Sequence, residues 1–151
     1  MKSFITSICK CLLTLLGFSA VGCNSPFIAR EEYGSPYADF EVKGKVVDAE
    51  LSQPVQGLKV SAMEQNGNPQ PVVTGTTDAE GRFSLSGSFF PSESVLVKVE
   101  DTDQEENGGL FQTVTVSVSL EHVSDGEGWY SGMFSAGDVE VTVTRDISSD
   151  W

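Results

Sequence analysis

From Asp39 onward, the chain alternates between apolar and polar residues in a series of short segments. A period of two with one apolar face is typical of a β-strand in an antiparallel sheet that covers a core on one side. Seven segments follow this pattern, the third of them more weakly, and their apolar positions are Phe40, Val42, Gly44 and Val46; Leu58, Val60 and Ala62; Val72 and Val73; Phe83 and Leu85; Val95, Val97 and Val99; Val114, Val116, Val118 and Leu120; and Val139, Val141 and Val143.

Residues with turn chemistry separate these segments. Asn, Asp, Gly and Pro cluster at four places, residues 66–69, 78–81, 107–109 and 124–128. Such clusters favour tight turns because Gly adopts positive φ and Asn or Asp bonds to its own backbone. No stretch after Cys23 shows a helical period. We therefore predict an all-β domain over residues 39–147, an antiparallel sandwich of about seven strands in two layers.

The first 22 residues have the zones of a secretory signal peptide. Lys2 supplies the positive n-region, and an apolar stretch follows over residues 11–21. About eleven apolar residues are too few for a membrane span, which needs about 20, but they match the apolar region of a signal peptide. We predict that residues 1–22 are removed from the mature protein.

The residues at the end of this segment, Ala20, Val21, Gly22 and Cys23, resemble a bacterial lipobox, although its first position is more often Leu. The resemblance implies cleavage after Gly22, a diacylglyceryl thioether on Cys23 and acylation of the new amino group, with palmitate as a typical chain. The alternative is an ordinary signal peptide followed by a coincidental cysteine. In the lipobox interpretation residues 23–38 are a lipidated tether, and the protein is anchored in the cell envelope. The residue after the cysteine is Asn24, and an Asp there would suggest retention in the inner membrane. Its absence favours the outer membrane, in either the inner or the surface-facing leaflet.

The charge argues against nucleic-acid binding, and the cysteine content argues against a disulfide-stabilised domain. Nine Lys and Arg oppose 22 Asp and Glu, for a formal net charge of −13. Such a surface repels phosphate backbones, so we expect no nucleic-acid partner. The cysteines are Cys9, Cys11 and Cys23. The mature chain would keep one of them, so an intramolecular disulfide is excluded and the domain must rely on its packed core.

Residues 44–48, 54–60 and 77–83 follow one another in a way that resembles the carboxypeptidase regulatory-like, transthyretin-like domain. Its first strand leads through a Pro-containing turn to the second, and a D-x-x-G hairpin precedes the next. The family often has Gly shortly before the Pro, where this chain has Ser52 and Gln53. The resemblance implies a seven-stranded, Ig-like antiparallel sandwich. It does not imply catalysis, since such domains are usually accessory or binding modules.

Two further segments, residues 32–44 and the acidic, Gly-rich residues 101–109, resemble the radical-SAM-associated lipoproteins of Bacteroidetes. The resemblance implies a radical SAM enzyme as a genomic neighbour and candidate partner. In the alternative interpretation, the protein is a substrate that this enzyme modifies. Such maturation often targets cysteine, and the mature chain has none beyond Cys23, which argues against that alternative.

The acidic loop is the candidate metal site. Asp101, Asp103, Glu105 and Asn107 supply the oxygen ligands that Ca²⁺ prefers, and we expect no other cofactor. An EF-hand is excluded because its sixth position would be Glu106, where that loop requires Gly. The alternative is a solvated acidic hairpin loop without a metal.

His122 is the single histidine, so the chain cannot build a histidine-cysteine zinc site or a Cys-His pair in the mature domain. A Ser-His-Asp hydrolase using His122 is a minor alternative, since no G-x-S-x-G motif is present. Trp129, Tyr130, Met133 and Phe134 form an aromatic group that we interpret as core at one end of the sandwich, with a ligand platform as the alternative. We therefore predict a non-enzymatic binding or structural module.

Overall fold

The computed structural model describes residues 34–66, 70–104 and 106–147, so the predicted signal peptide, the predicted lipidation site Cys23 and most of the predicted tether lie outside the described residues. The regular secondary structure of the described chain consists of β-strands and one short 3₁₀ turn at Glu106–Gly108. None of its helices has the length and hydropathy that a membrane span requires. The strands are β1 Tyr37–Asp48, β2 Lys59–Met63, β3 Pro71–Thr76, β4 Arg82–Phe89, β5 Ser94–Glu100, β6 Val114–Ser119, β7 Glu121–Ser124 and β8 Tyr130–Val143.

Two four-stranded sheets form the domain, with the strand orders β4-β1-β8-β7 and β3-β2-β5-β6. We call them sheet A and sheet B. The long β1 lies inside sheet A, where it pairs antiparallel with β4 and parallel with β8. In sheet B, β2 and β5 are the inner strands and all pairings are antiparallel. The prediction of an all-β, two-layer domain is therefore confirmed.

The predicted number of strands and the wholly antiparallel pairing differ from the structure. Eight strands occur in the described chain, because β7 is an additional edge strand of four residues. All four of its residues are exposed, so β7 has no apolar face that could be recognised from the sequence. The parallel contact joins the first and last strands, and a period of two marks a strand without indicating the direction of its neighbour.

Strand β8 begins nine residues earlier than the Val139 of the predicted segment. Its register against β1 shifts twice, between Tyr37 and Asp39 and between Val42 and Gly44. Asp138, opposite the second shift, has a positive φ of 56°. An extra residue at a β-bulge reverses the alternation of faces, which conceals the first half of this strand from a search for period two.

Most of the apolar positions predicted from the alternation form the core between the sheets, which confirms their predicted faces. The prediction is wrong for the third segment, because Val72 is exposed and Val73 is only partly buried on the edge strand β3. Val114, Val116 and Val139 are only partly buried, since β6 is an edge strand and Val139 follows the bulge. The buried members of the core are Ala38, Phe40, Val42, Val46, Val55, Leu58, Val60, Ala62, Phe83, Leu85, Phe89, Val95, Val97, Val99, Phe111, Val118, Leu120, Val141 and Val143.

The turn at residues 78–81 connects the two sheets. Gly81 N–H donates to the Asp78 carbonyl at 2.9 Å, and Asp78 Oδ1 accepts from the backbone N–H of Glu80 and Arg82. Gly81 has a φ of +70°, and a Cβ there would lie 2.6 Å from the Val46 carbonyl oxygen. A side chain at Gly81 would therefore meet both backbone strain and a steric clash, so the turn is structural, as its sequence indicates.

Candidate functional site

The acidic loop is organised by Asp101. Its Oδ1 accepts the backbone N–H of Asp103 at 3.2 Å and of Gln104 at 3.0 Å, and its Oδ2 accepts the N–H of Phe111 at 2.9 Å. Burial raises the pKa of the Asp101 carboxyl, and the neighbouring Asp103 raises it further. Both oxygens of Asp101 thus stabilise the loop by bonding to its own backbone, the role that Asp often has in turns.

For the predicted Ca²⁺ site, the structure positions Asp101 and Asp103 close together. Glu105 and the side chain of Asn107 lie outside the described residues. Among the residues that are described, no group of three or more His, Cys, Asp or Glu side chains could hold a metal ion. Calcium binding at this loop stays a prediction, and it would require ligands beyond the described Asp101 and Asp103.

Arg145 fixes the far side of this loop, a role that sequence reasoning missed. Its Nε donates to Asp48 Oδ2 at 2.8 Å, one of its terminal nitrogens donates to the Gly108 carbonyl, and its guanidinium lies 5.4 Å from the centre of the Phe111 ring. Asp48 is 2% exposed, and its Oδ1 accepts two backbone N–H groups. The two partners are 97 positions apart, so no local sequence pattern links them.

His122 lies on β7, at the edge of sheet A. Its Nε2 is 3.7 Å from Asp125 Oδ1, and its ring lies 4.9 Å from that of Phe134. Asp125 is almost fully exposed, with 97% of its side chain accessible. Among the described residues the contacts of His122 are with Asp125 and Phe134, and no serine hydroxyl bonds to it.

The predicted aromatic group divides between core and surface. Phe134 packs against the core, with its ring 6.3 Å from that of Phe89 in an edge-to-face arrangement. Trp129 is 38% exposed and Tyr130 is half-buried, so the interpretation of the group as core is wrong for these two residues. The reason is their position: they lie where β8 begins, at the margin of the sheet.

Trp129 and Tyr130 instead belong to an exposed surface that we call the aromatic ledge, formed by Tyr37, Phe90, Trp129 and Tyr130. The Tyr37 and Tyr130 rings are 5.2 Å apart, and Tyr37 N–H donates to the Trp129 carbonyl at 2.9 Å. The register of β1 and β4 pairs Ala38 with Phe89, which puts Phe90 next to Tyr37. Tyr37 and Phe90 are 47% and 57% exposed.

Asp39 lies beside the ledge and links three strands. It accepts hydrogen bonds from Ser88 Oγ at 2.6 Å on β4 and from Tyr130 Oη at 3.2 Å on β8. Partial burial and the neighbouring Asp39 carboxylate raise the pKa of the Tyr130 hydroxyl. The ledge thus combines aromatic rings with polar groups at their rim, an arrangement suited to an amphipathic surface.

Comparison with known proteins identifies no family for this chain: no family model and no curated protein matches it. Solved structures with a similar fold include BcpA, the major pilin subunit of Bacillus cereus, at 14% identity and a TM-score of 0.48 over 72% of this chain and 31% of that one. The group B streptococcus pilus 2b backbone protein aligns at 12% identity and a TM-score of 0.45, over 71% of this chain and 41% of that one.

A third similar structure is the 5-hydroxyisourate hydrolase of Klebsiella pneumoniae, at 16% identity and a TM-score of 0.40, over 64% of this chain and 85% of that one. This chain spans less than half the length of either pilin. Similarity at this level concerns the general β-sandwich architecture and carries no argument about activity, ligands or partners. The class of protein defined by fold and surface is therefore a small β-sandwich module with an exposed aromatic ledge.

Proposed function

We propose that the chain is a non-enzymatic, lipid-anchored module of the bacterial cell envelope, held to the outer membrane through acyl chains on Cys23. The observation that carries the proposal is the position of the aromatic ledge. It lies at the end of the sandwich where the described chain begins, and a Cβ on Gly34 would be 3.7 Å from the Trp129 ring. The segment that leads from Cys23 therefore joins the domain beside the ledge.

Chain length supports this orientation. Gly34 follows Cys23 by eleven positions, so the two are separated by at most about 40 Å even in a fully extended chain. Trp and Tyr are enriched at membrane–water interfaces, where an apolar ring with a polar edge is favourable. We infer that the ledge faces the bilayer to which the domain is anchored.

Energetically, the lipid dominates the attachment. Each buried methylene contributes about 0.8 kcal/mol, so a single acyl chain binds marginally while two or three hold a protein essentially permanently. The ledge orients a domain that is already tethered. The rest of the sandwich is displayed in the envelope as a binding or structural module, in keeping with the resemblance to accessory domains.

The test is fractionation of cells that express the Cys23→Ser variant. Without the thiol no thioether forms, so we expect the variant to leave the membrane fraction or to accumulate with its leader attached. Cys11→Ser is the matched control, because it removes a leader thiol and should leave membrane association unchanged. Equal membrane association of Cys23→Ser and the native protein, with normal leader removal, would refute the proposal.

A second candidate rests on the resemblance of residues 32–44 and 101–109 to radical-SAM-associated lipoproteins. In this proposal a radical SAM enzyme is the partner and modifies a side chain other than cysteine. Intact-mass measurement of the native protein tests it. A mass difference beyond the lipid, lost when the enzyme is deleted, supports modification, and a mass explained by sequence and lipid alone rejects it.

A further inference from the structure

A concavity of about 790 Å³ opens on sheet A, away from the aromatic ledge. Strands β1, β4 and β8 contribute most of its lining. Charged side chains predominate around it: Lys43, Lys45, Asp78, Arg82, Asp138 and Glu140. Three of the nine cationic residues of this acidic chain thus line this concavity.

The strand register determines which of these charged residues are cross-strand neighbours. Lys45 on β1 pairs directly with Arg82 on β4 on one side and with Glu140 on β8 on the other. Like charges directly opposite each other in a sheet are unfavourable. In the described part of the chain, neither Lys45 nor Arg82 forms an ion pair within 4.0 Å, even though Glu140 is a cross-strand neighbour of Lys45.

Sheet B shows the opposite arrangement. Lys98 and Lys59 both reach Glu100, at 2.6 Å and 3.6 Å. The hydrogen bond from Lys98, with the positive charge of both lysines, lowers the pKa of the Glu100 carboxyl despite its partial burial. On sheet B these charges of opposite sign are therefore paired. Of the three cations around the concavity on sheet A, Lys43 pairs with Glu41 at 2.8 Å, whereas Lys45 and Arg82 line the open space.

Most charges around the concavity are ordered by sign. The cations Lys45 and Arg82 lie on β1 and β4, and the carboxylates Asp138 and Glu140 lie on β8, where the bulge gives Asp138 a positive φ. The remaining carboxylate, Asp78, precedes β4, and its Oδ1 accepts the backbone N–H groups of Glu80 and Arg82. Neighbouring strands are about 4.8 Å apart, so Arg82 and Glu140 are separated by two such spacings, about 10 Å between backbones.

We propose that this concavity binds a short peptide or amino-acid derivative with a free carboxylate and a free ammonium group. The carboxylate bonds to Arg82 and Lys45, since the planar guanidinium matches a carboxylate with two parallel hydrogen bonds. The ammonium group bonds to Glu140 and Asp138. An extended dipeptide is about 7 Å long, comparable to the spacing of about 10 Å between the strands that carry Arg82 and Glu140. This ligand site goes beyond the proposed anchoring function and does not depend on it.

The test uses L-alanyl-L-alanine as the probe, titrated into the ¹⁵N-labelled native protein in a nonionic detergent. We expect saturable shifts of backbone amides in residues 43–45, 82–84 and 138–140. Two blocked peptides complete the set, N-acetyl-alanyl-alanine without the ammonium group and alanyl-alanine amide without the carboxylate. Each should bind about threefold to tenfold more weakly, the effect of losing one charge-assisted contact in a partly open site.

Variants assign the two ends of the ligand. Arg82→Gln should weaken the dipeptide and the N-acetyl peptide alike, whereas Glu140→Gln should weaken the dipeptide and leave the N-acetyl peptide unchanged. Lys98→Gln on sheet B is the control and should change neither. The dispersion of the same spectra reports whether each variant is folded. Absence of saturable shifts, binding of either blocked peptide as tight as that of the dipeptide, or equal weakening by Lys98→Gln and Arg82→Gln would overturn the proposal.

Discussion

The contact between Arg145 and Asp48 yields the sharpest stability prediction. Arg145→Met keeps an aliphatic stem beside Phe111 and removes the guanidinium. Asp48, at 2% exposure, then retains two backbone donors on Oδ1 and loses the Nε donor 2.8 Å from its Oδ2. A buried carboxylate oxygen is left without its partner, and the Gly108 carbonyl loses its donor as well.

The magnitude follows from how far the pair is buried. An under-satisfied buried acceptor costs about 1–3 kcal/mol, and loss of the cation over the Phe111 ring adds about 0.5 kcal/mol at an exposed site. The 32% exposure of the Arg145 side chain keeps the cost below that of a fully buried pair. We expect the free energy of unfolding to fall by about 2 kcal/mol, which lowers Tm by roughly 8 °C in a domain of this size.

The assay is urea unfolding followed by circular dichroism, with Lys43→Met as the matched control. Lys43 also pairs with a carboxylate, Glu41, at 2.8 Å, but its side chain is 57% exposed. Removal of such a surface pair should change the free energy of unfolding by less than about 1 kcal/mol. Equal effects of Arg145→Met and Lys43→Met would refute the inference that burial of Asp48 makes its contact with Arg145 important.

The pH dependence of the same variant provides a second readout. Burial alone would raise the pKa of Asp48, but the backbone hydrogen bonds and Arg145 outweigh it, so the net pKa is lowered. A lowered pKa in the folded state stabilises the protein above the unfolded-state value of about 4, and this stabilisation is lost as the pH falls through the folded-state pKa. The loss in free energy of unfolding caused by Arg145→Met should therefore become smaller below about pH 4. A loss that is unchanged at acid pH would contradict the assignment of the effect to the ionised Asp48 carboxylate.

Three further predictions follow from the structure. Gly81→Ala should lower the free energy of unfolding by about 2 kcal/mol or more, measured by urea unfolding, because φ is positive and the added Cβ meets the Val46 carbonyl. Calcium should bind the acidic loop with measurable heat in calorimetric titration and should raise Tm. Absence of both the heat and the thermal shift at millimolar Ca²⁺ would reject the site at Asp101 and Asp103. In a Trp151→Phe background, Trp129 fluorescence should be quenched by lipids labelled near their headgroups, and unquenched emission from vesicle-anchored protein would exclude a ledge at the bilayer.

Sequence reasoning predicts the core faces well because burial on one side of a sheet forces an alternation with period two. Phe40, Val42 and Val46 are therefore readable directly from their spacing, and so is the turn that ends in Gly81. Where alternation is absent or interrupted, the prediction is wrong: β7 has no buried face, and the bulge at Asp138 shifts the phase of β8.

The candidate surfaces are harder to predict because they depend on contacts between distant segments. The ledge combines Tyr37 and Phe90 with Trp129 and Tyr130. The antiparallel pairing of β1 with β4 brings Phe90 to Tyr37, and the parallel pairing of β1 with β8 brings Tyr130 there. The concavity likewise needs the alignment of Lys45 with Arg82 and Glu140. The composition shows that cationic residues are few in this chain. The strand order is needed to show that three of them lie next to one another on sheet A.

The central claim is that acyl chains on Cys23 hold this β-sandwich at a bilayer. Its most direct test is tandem mass spectrometry of the N-terminal peptide from protein extracted from membranes. The account predicts a peptide that begins at Cys23 and carries a diacylglyceryl group on sulfur, with a further acyl chain on the amino group. A mature peptide that begins at another residue, or that contains an unmodified Cys23, would contradict it.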